Sequence, residues 1–265
     1  MDQNQDPPAG WPAPRRTAVR VLSAAFLTVV TAGLALAAVA TAVTGDAVPA
    51  VVFGLSAVLG AHIAGIAISG LRSPRPADDV RVLGETDKGE KGLAFPYARG
   101  PYYWLSVTLA LVVLLAGGFA AVVAAAGSVT GWIVAAIAGG FAVFTGWFLV
   151  VLLRLAPGTI VLTPTGIYHR SLVLEHFVPW DAVVDVQPRE GRNPWITVRA
   201  MPTPGTRERR HTGRFVTFEG QALPFMIARS YWLGAHALPA YRALKFYVEH
   251  PGKRSALRSV DQAVR

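Results

Sequence analysis

Three stretches of the chain carry no acidic residue, lysine or arginine: residues 21–43, residues 47–71 and residues 101–153. A helix rises 1.5 Å per residue, so the first reaches roughly 35 Å and spans a hydrocarbon core of about 30 Å. The second is of similar length, with Pro49 placed where a helix start tolerates a missing N–H. The third is too long for one crossing, and Gly127, Ser128, Thr130 and Gly131 mark a turn that divides it into helices at 102–126 and 132–153. Tyr102, Tyr103, Trp104 and Trp132 stand at the starts of these helices, as expected of rings resting at headgroup level. The pattern predicts four membrane spans. A cleaved signal peptide would also have Arg15, Arg16 and Arg20 ahead of an apolar run, with Ala38, Ala40 and Ala42 as small-residue cleavage positions. The run is longer than the roughly 7 to 15 residues of such a core, which favours an uncleaved span.

Beyond Leu155 the period changes, with Pro157 and Gly158 at the border. The β-branched and apolar residues 159–162, a turn at 164–166 and a second run at 167–174 read as a β-hairpin. Residues 177–186, 195–200 and 215–218 are further strand candidates; Ile196, Val198 and Ala200 share one face and Thr197 and Arg199 the other. Leu238, Tyr241, Leu244 and Val248 then recur at helical spacing, with Pro239 in the first turn and Pro251 and Gly252 ending the helix. Residues 221–237 fit neither period.

The run Thr163, Pro164, Thr165, Gly166, Ile167, Tyr168, His169 and Arg170, followed by Val178, Pro179, Trp180 and Asp181, resembles the opening strands of bacterial pleckstrin-homology-like (PH-like) domains attached to membrane spans. The closing helix through Phe246, Tyr247, His250 and Pro251, with Lys253 and Arg254 after it, is similar to the tail of such multi-span proteins. The resemblance covers residues 155–250 and implies an antiparallel β half-barrel closed by a C-terminal helix, without a shared catalytic residue. The fold class expected is therefore four transmembrane helices plus a C-terminal all-β PH-like half-barrel closed by an α-helix. The organisation is a tail at 1–16, helices 1 and 2 within 17–71, a cytoplasmic loop at 72–100, helices 3 and 4 within 101–154, the β domain at 155–250 and a basic tail at 251–265. The tail, with Pro7, Pro8, Pro12 and Pro14 among polar residues, is expected to be disordered. The loop is expected to be mobile, with a short strand or helical turn near 80–83 and residues 93–97 at the interface.

Composition agrees with a membrane protein: of 265 residues, 52% are hydrophobic and 15% charged, against about 25% charged in soluble domains. The absence of cysteine removes disulfides, thiolate catalysis and the usual structural zinc ligands. Lysine and arginine alternate between segments. Arg15, Arg16 and Arg20 precede the first span, Asp46 alone occupies the first loop, and Arg72, Arg75, Arg81, Lys88, Lys91 and Arg99 fill the second. The third loop has none, and Arg154 follows the last span. The positive-inside rule then puts both termini in the cytoplasm of a cell whose plasma membrane holds the protein.

His62 is the ionisable group inside the spans and so a candidate intramembrane polar site. A hydrogen bond from its neutral ring to Thr28, Thr31, Ser106 or Thr145 of another helix would satisfy it structurally. Gly60 with Ala64, Ala61 with Gly65, Gly65 with Ser69, and Ala135 with Gly139 are small-residue pairs suited to close helix approach. Four unbroken spans without an acid argue against a transporter acting alone.

The densest basic cluster is Arg207, Arg209, Arg210, His211 and Arg214. It is the candidate lipid- or partner-binding site, the structural alternative being a solvated loop. Residues 155–265 hold 15 Lys and Arg against 8 Asp and Glu, which favours an anionic leaflet or an acidic partner. Nucleic acid is not expected, because no reading helix or stacking platform accompanies the charge. His169, Glu175 and His176 have no metal-ligand spacing and are expected at the surface; Trp180 and Trp195 are assigned to the β core or its rim. Asp181 and Asp185 are expected in turn or solvent-facing roles. No P-loop, HExxH, GxSxG or dinucleotide motif is present, so neither an enzyme nor a cofactor is expected. An enzyme would need polar groups converging from Asp78, Asp79 and the β domain.

The function expected is a membrane-anchored PH-like module that docks a protein segment or anionic lipid headgroups at the cytoplasmic face. The alternative is an accessory subunit of a transport or cell-envelope complex acting through its helices. Membrane lipids and a membrane protein partner or a second copy are the partners implied.

Overall fold

The computed structural model describes residues 18–69, 71, 82–189, 194–212 and 225–261. The expectations placed on residues 1–16, Arg72, Arg75, Asp78, Asp79, Arg81, Arg214 and strand candidate 215–218 lie outside them. The described chain forms two compact units.

The first unit holds four helices, each long and apolar enough to cross a membrane: α1 (Ala18–Val43), α2 (Ala47–Ser69), α3 (Arg99–Ala125) and α4 (Val129–Leu155). The chain is thus a multi-pass membrane protein by length and composition. The α3–α4 break falls at Gly127 and Ser128. Gly127 adopts φ +70°, the left-handed value that ends a helix without cost only in glycine. The Ser128 hydroxyl accepts the Gly131 N–H at 2.9 Å as the N-cap of α4, so Thr130 and Gly131 belong to the helix rather than to the turn. Small residues set the helix contacts. A Cβ on Gly60 would lie 2.6 Å from Thr31 Oγ1 on α1, and one on Gly65 would lie 2.7 Å from the Trp104 ring on α3. The Tyr102 hydroxyl donates to the Leu152 carbonyl at 2.6 Å, linking α3 to α4.

The second unit is built on two antiparallel sheets. One contains β1 (Val82–Glu85), β2 (Lys91–Pro96), β3 (Thr159–Leu162), β4 (Gly166–Arg170), β5 (Leu174–Pro179) and β8 (Arg207–Arg210), in the order β1-β2-β3-β4-β5-β8. The other contains β6 (Val183–Arg189), β7 (Trp195–Ala200) and β9 (Phe225–Arg229), in the order β6-β7-β9. The stretch expected as a mobile loop thus supplies two strands, and the β unit is discontinuous in sequence: β2 pairs with β3 from Leu93↔Leu162 to Pro96↔Thr159 across the inserted α3–α4 hairpin. The hairpin turn between β1 and β2 explains why this was missed. Thr86 and Glu90 close it by a backbone bond of 2.9 Å, with Gly89 at φ +80°, so acidic and basic residues that suggest a solvated loop occupy its tip.

Two strands predicted as continuous are each divided. The run 167–174 breaks at Ser171, whose N–H donates to the Leu174 carbonyl at 2.8 Å. The run 177–186 breaks after Pro179, where Trp180–Ala182 forms a 3-10 turn. Residues 225–237, which fitted neither period, hold β9, a one-turn helix α5 (Ser230–Leu233) and a 3-10 turn. The closing helix α6 (Ala237–Glu249) buries Ala237, Leu238, Ala240, Tyr241, Ala243 and Leu244, the spacing of one helical face, and packs against β6 and β2. The segment expected as a basic tail continues as 3-10 turns over Pro251–Asp261 and seats Leu257 at 1% exposure.

Arg254 in that segment holds the end of α6. Its Nε donates to the Tyr247 carbonyl at 2.8 Å, and its guanidinium stands 4.8 Å from the centre of the Trp180 ring. Trp180 is itself core, its indole N–H donating to the Thr163 carbonyl at 2.7 Å.

Candidate functional site

Within the candidate lipid- or partner-binding cluster, Arg207–Arg210 form an edge strand rather than the solvated loop that was the structural alternative. β8 pairs with β5 from Leu174↔Arg210 to Phe177↔Arg207, so alternate residues of Arg207–Arg210 face opposite sides of the large sheet. Two of its cations are engaged. Arg207 makes a two-pronged pair with Asp87 of the β1–β2 turn at 3.0 and 3.3 Å and lies 4.6 Å from the centre of the Phe177 ring. Arg210 pairs with Glu208. Arg209 is exposed, and its side chain has no partner among the described residues. The Arg207–Asp87 pair ties the turn that follows β1, one edge strand of the six-stranded sheet, to β8, the other.

Behind β8 lies a row of polar groups inside the sheet. Register places His169 of β4 beside His176 of β5 and His176 beside Glu208 of β8. Both histidines are buried, at 1% and 4% exposure, which corrects the expectation that they lie at the surface, while Glu175 is half-buried. His169 Nε2 is 2.8 Å from the Tyr97 hydroxyl, while its Nδ1 has no partner among the described residues. Burial, with His176 adding to it, pushes the His169 pKa down to about 3. Burial also lowers His176 despite Glu208, whose carboxylate stands 3.1 Å from Nε2. At Glu208 burial opposes ionisation, but hydrogen bonds from Arg210 and His176 outweigh it and hold the carboxyl below its usual range. On the opposite face Tyr168 donates to Glu175 at 3.2 Å, and burial together with that carboxylate raises its pKa. His211 approaches Glu175 to 3.3 Å. Period-2 alternation could have placed His169 and His176 on one inward face, given that Ile167 and Val178 share it; their polarity concealed this.

These histidines do not assemble a metal centre: among the described residues no three His, Asp or Glu side chains converge as ligands. Asp181 stands exposed in its 3-10 turn, and Asp185 accepts a hydrogen bond from Gln187 at 2.6 Å.

His62 belongs to the membrane unit and stands two turns before the end of α2 at Ser69, about 10 Å from it. Its Nδ1 is 2.8 Å from the Val58 carbonyl, which can only accept, so Nδ1 carries the proton. Its ring lies 5.3 Å from that of Trp104 and 6.2 Å from that of Tyr103. Thr28, Thr31 and Ser106 bond carbonyls of their own helices instead of His62.

No known family, curated protein or solved structure matches this chain.

Proposed function

We propose that this protein is a membrane-anchored docking module, in which a PH-like β domain at the cytoplasmic face holds anionic lipid headgroups or a protein segment. The observation that carries the reading is Arg209, an exposed cation without a partner among the described residues, on an edge strand whose neighbouring cations are already paired. An arginine near an anionic leaflet contributes about 1 kcal/mol. Support for the PH-like assignment comes from the meander of antiparallel strands with α6 packed on it, the arrangement that the Thr163–Arg170 and Val178–Asp181 motifs imply. The alternation of basic and neutral loops supports cytoplasmic termini in a plasma membrane. On this reading the protein acts without a cofactor and without catalysis, and nucleic acid is not its partner.

The test is affinity capture of the intact chain from mild detergent, reading co-purifying proteins and lipids, beside Arg209→Glu. Deleting residues 155–265 is a poorer test, because it strands β1 and β2 without a sheet. Loss of a specific protein or of anionic lipid in the variant is the expected result. Identical profiles would overturn the docking role of β8 and move attention to the accessory-subunit reading, in which the helices make the contacts.

A further inference from the structure

The outer face of the three-stranded sheet carries a second arrangement of charge and aromatic surface, on different strands from β8. Strand alternation turns Val186, Ile196, Val198, Ala200, Met226 and Ala228 into the core. It turns the intervening residues to the opposite face, on which Thr197 is nonetheless buried, at 7% exposure. Register then sets Arg189, Trp195 and Arg229 side by side in one row across β6, β7 and β9. The next row is Gln187, Thr197 and Ile227, and Asp185 and Arg199 are paired beyond it. The Trp195 indole N–H donates to Thr197 Oγ1 at 3.0 Å, so the half-buried ring has no need of water for that proton. Arg189 and Arg199 are exposed. A bulge between Val183 and Asp185 adds Val184, 43% exposed, at the far end of β6. Asp185, the one acid on these rows, is held by Gln187 at 2.6 Å.

We propose that this face docks on the anionic leaflet of the membrane in which the chain is anchored, Trp195 entering the headgroup layer while Arg189, Arg199 and Arg229 meet lipid phosphates. A tryptophan bounded by arginines combines an amphipathic ring suited to the interface with cations that anionic lipid attracts. The β unit is joined to α3 through Tyr97 and Ala98 and to α4 through residues 156–158, so the leaflet is always within reach at high effective concentration. Weak contacts suffice under those conditions. The proposal rests on the cytoplasmic, lipid-docking reading above and assigns it a surface.

The native chain contains no cysteine, so single-cysteine reporters have no background. Gln187→Cys labelled with an environment-sensitive dye reads this face, and Lys88→Cys, beside the Asp87–Arg207 pair, reads the β8 side. The full chain is placed in nanodiscs of neutral phosphatidylcholine or of the same lipid with phosphatidylglycerol, each with a headgroup-borne quencher. The label at 187 should be quenched in the anionic discs, and the quenching should fall at least about twofold in high salt and in Arg189→Gln/Arg229→Gln. Trp195→Ser should weaken it as well. Equal quenching in neutral discs, or quenching untouched by the double variant, overturns the proposal. Quenching at 88 without quenching at 187 overturns this face and leaves the β8 reading standing; none at either position removes lipid from both. Shielding of 187 in native membranes without quenching in the discs identifies a protein occupant and overturns the leaflet assignment.

Discussion

At the scale of single residues, the β unit depends on keeping His169 neutral. A base whose pKa falls from 6.5 in the unfolded chain to about 3 when folded binds fewer protons in the folded state throughout that interval. Its contribution to stability is complete above about pH 6.5 and is lost progressively as pH falls toward 3, at up to about 1.4 kcal/mol per pH unit. His176 acts in the same direction. Thermal melts of the detergent-solubilised chain between pH 7.5 and 5 should therefore show a falling midpoint, and His169→Phe should flatten that slope. A slope unchanged in the variant would mean that other groups govern acid sensitivity. The residue types of this site were legible in the sequence, but their roles were not. Arg207, Arg209 and Arg210 form one basic cluster in sequence, and only the approach of Asp87, more than a hundred positions earlier, separates the engaged arginine from the exposed one.

At the scale of elements, the join between β2 and β3 is the contact that local sequence could not announce. Its geometry is demanding: a Cβ on Gly92 would lie 2.1 Å from the Leu162 carbonyl oxygen. Gly92→Ala should therefore push β2 away from β3, costing on the order of 2 kcal/mol or more. Hydrogen exchange should show lost protection over residues 91–96 and 159–162, while α1 and α2 keep theirs. Unaltered protection over both strands would show that the sheet relaxes around the methyl group. The apolar helices were readable almost to the residue, because lipid demands an uninterrupted apolar run with every backbone group bonded within the segment. Strands β2 and β8 were not, and β1 was foreshadowed only as a short strand or helical turn near 80–83. Each is short and mixed in polarity, and its strand character comes from a partner far along the chain.

At the scale of the whole molecule, the chain of the β unit leaves to form the α3–α4 hairpin and then returns to complete the sheet. Residues 155–265 expressed alone lack β1 and β2 and expose the full edge of β3, so they should aggregate or melt without cooperativity. Residues 82–98 fused through a flexible linker to residues 156–261 should give a cooperative thermal transition with β-sheet circular dichroism. Cooperative folding of the shorter fragment would show that the first two strands are dispensable. The sequence by itself determined four spans, their boundaries, a β-rich region beyond residue 155 and a closing amphipathic helix. These follow from composition and from periods of 3.6 and 2 within a single segment, which nearest neighbours along the chain enforce. Only the tertiary structure decided that residues 82–96 belong to the β unit, that His169 and His176 are buried, that Asp87 neutralises Arg207 and that Arg189, Trp195 and Arg229 form one row. Each needs at least one partner distant in sequence, Arg229 in the last case, and the burial that selects such sheet pairings is gained only when both segments leave water together.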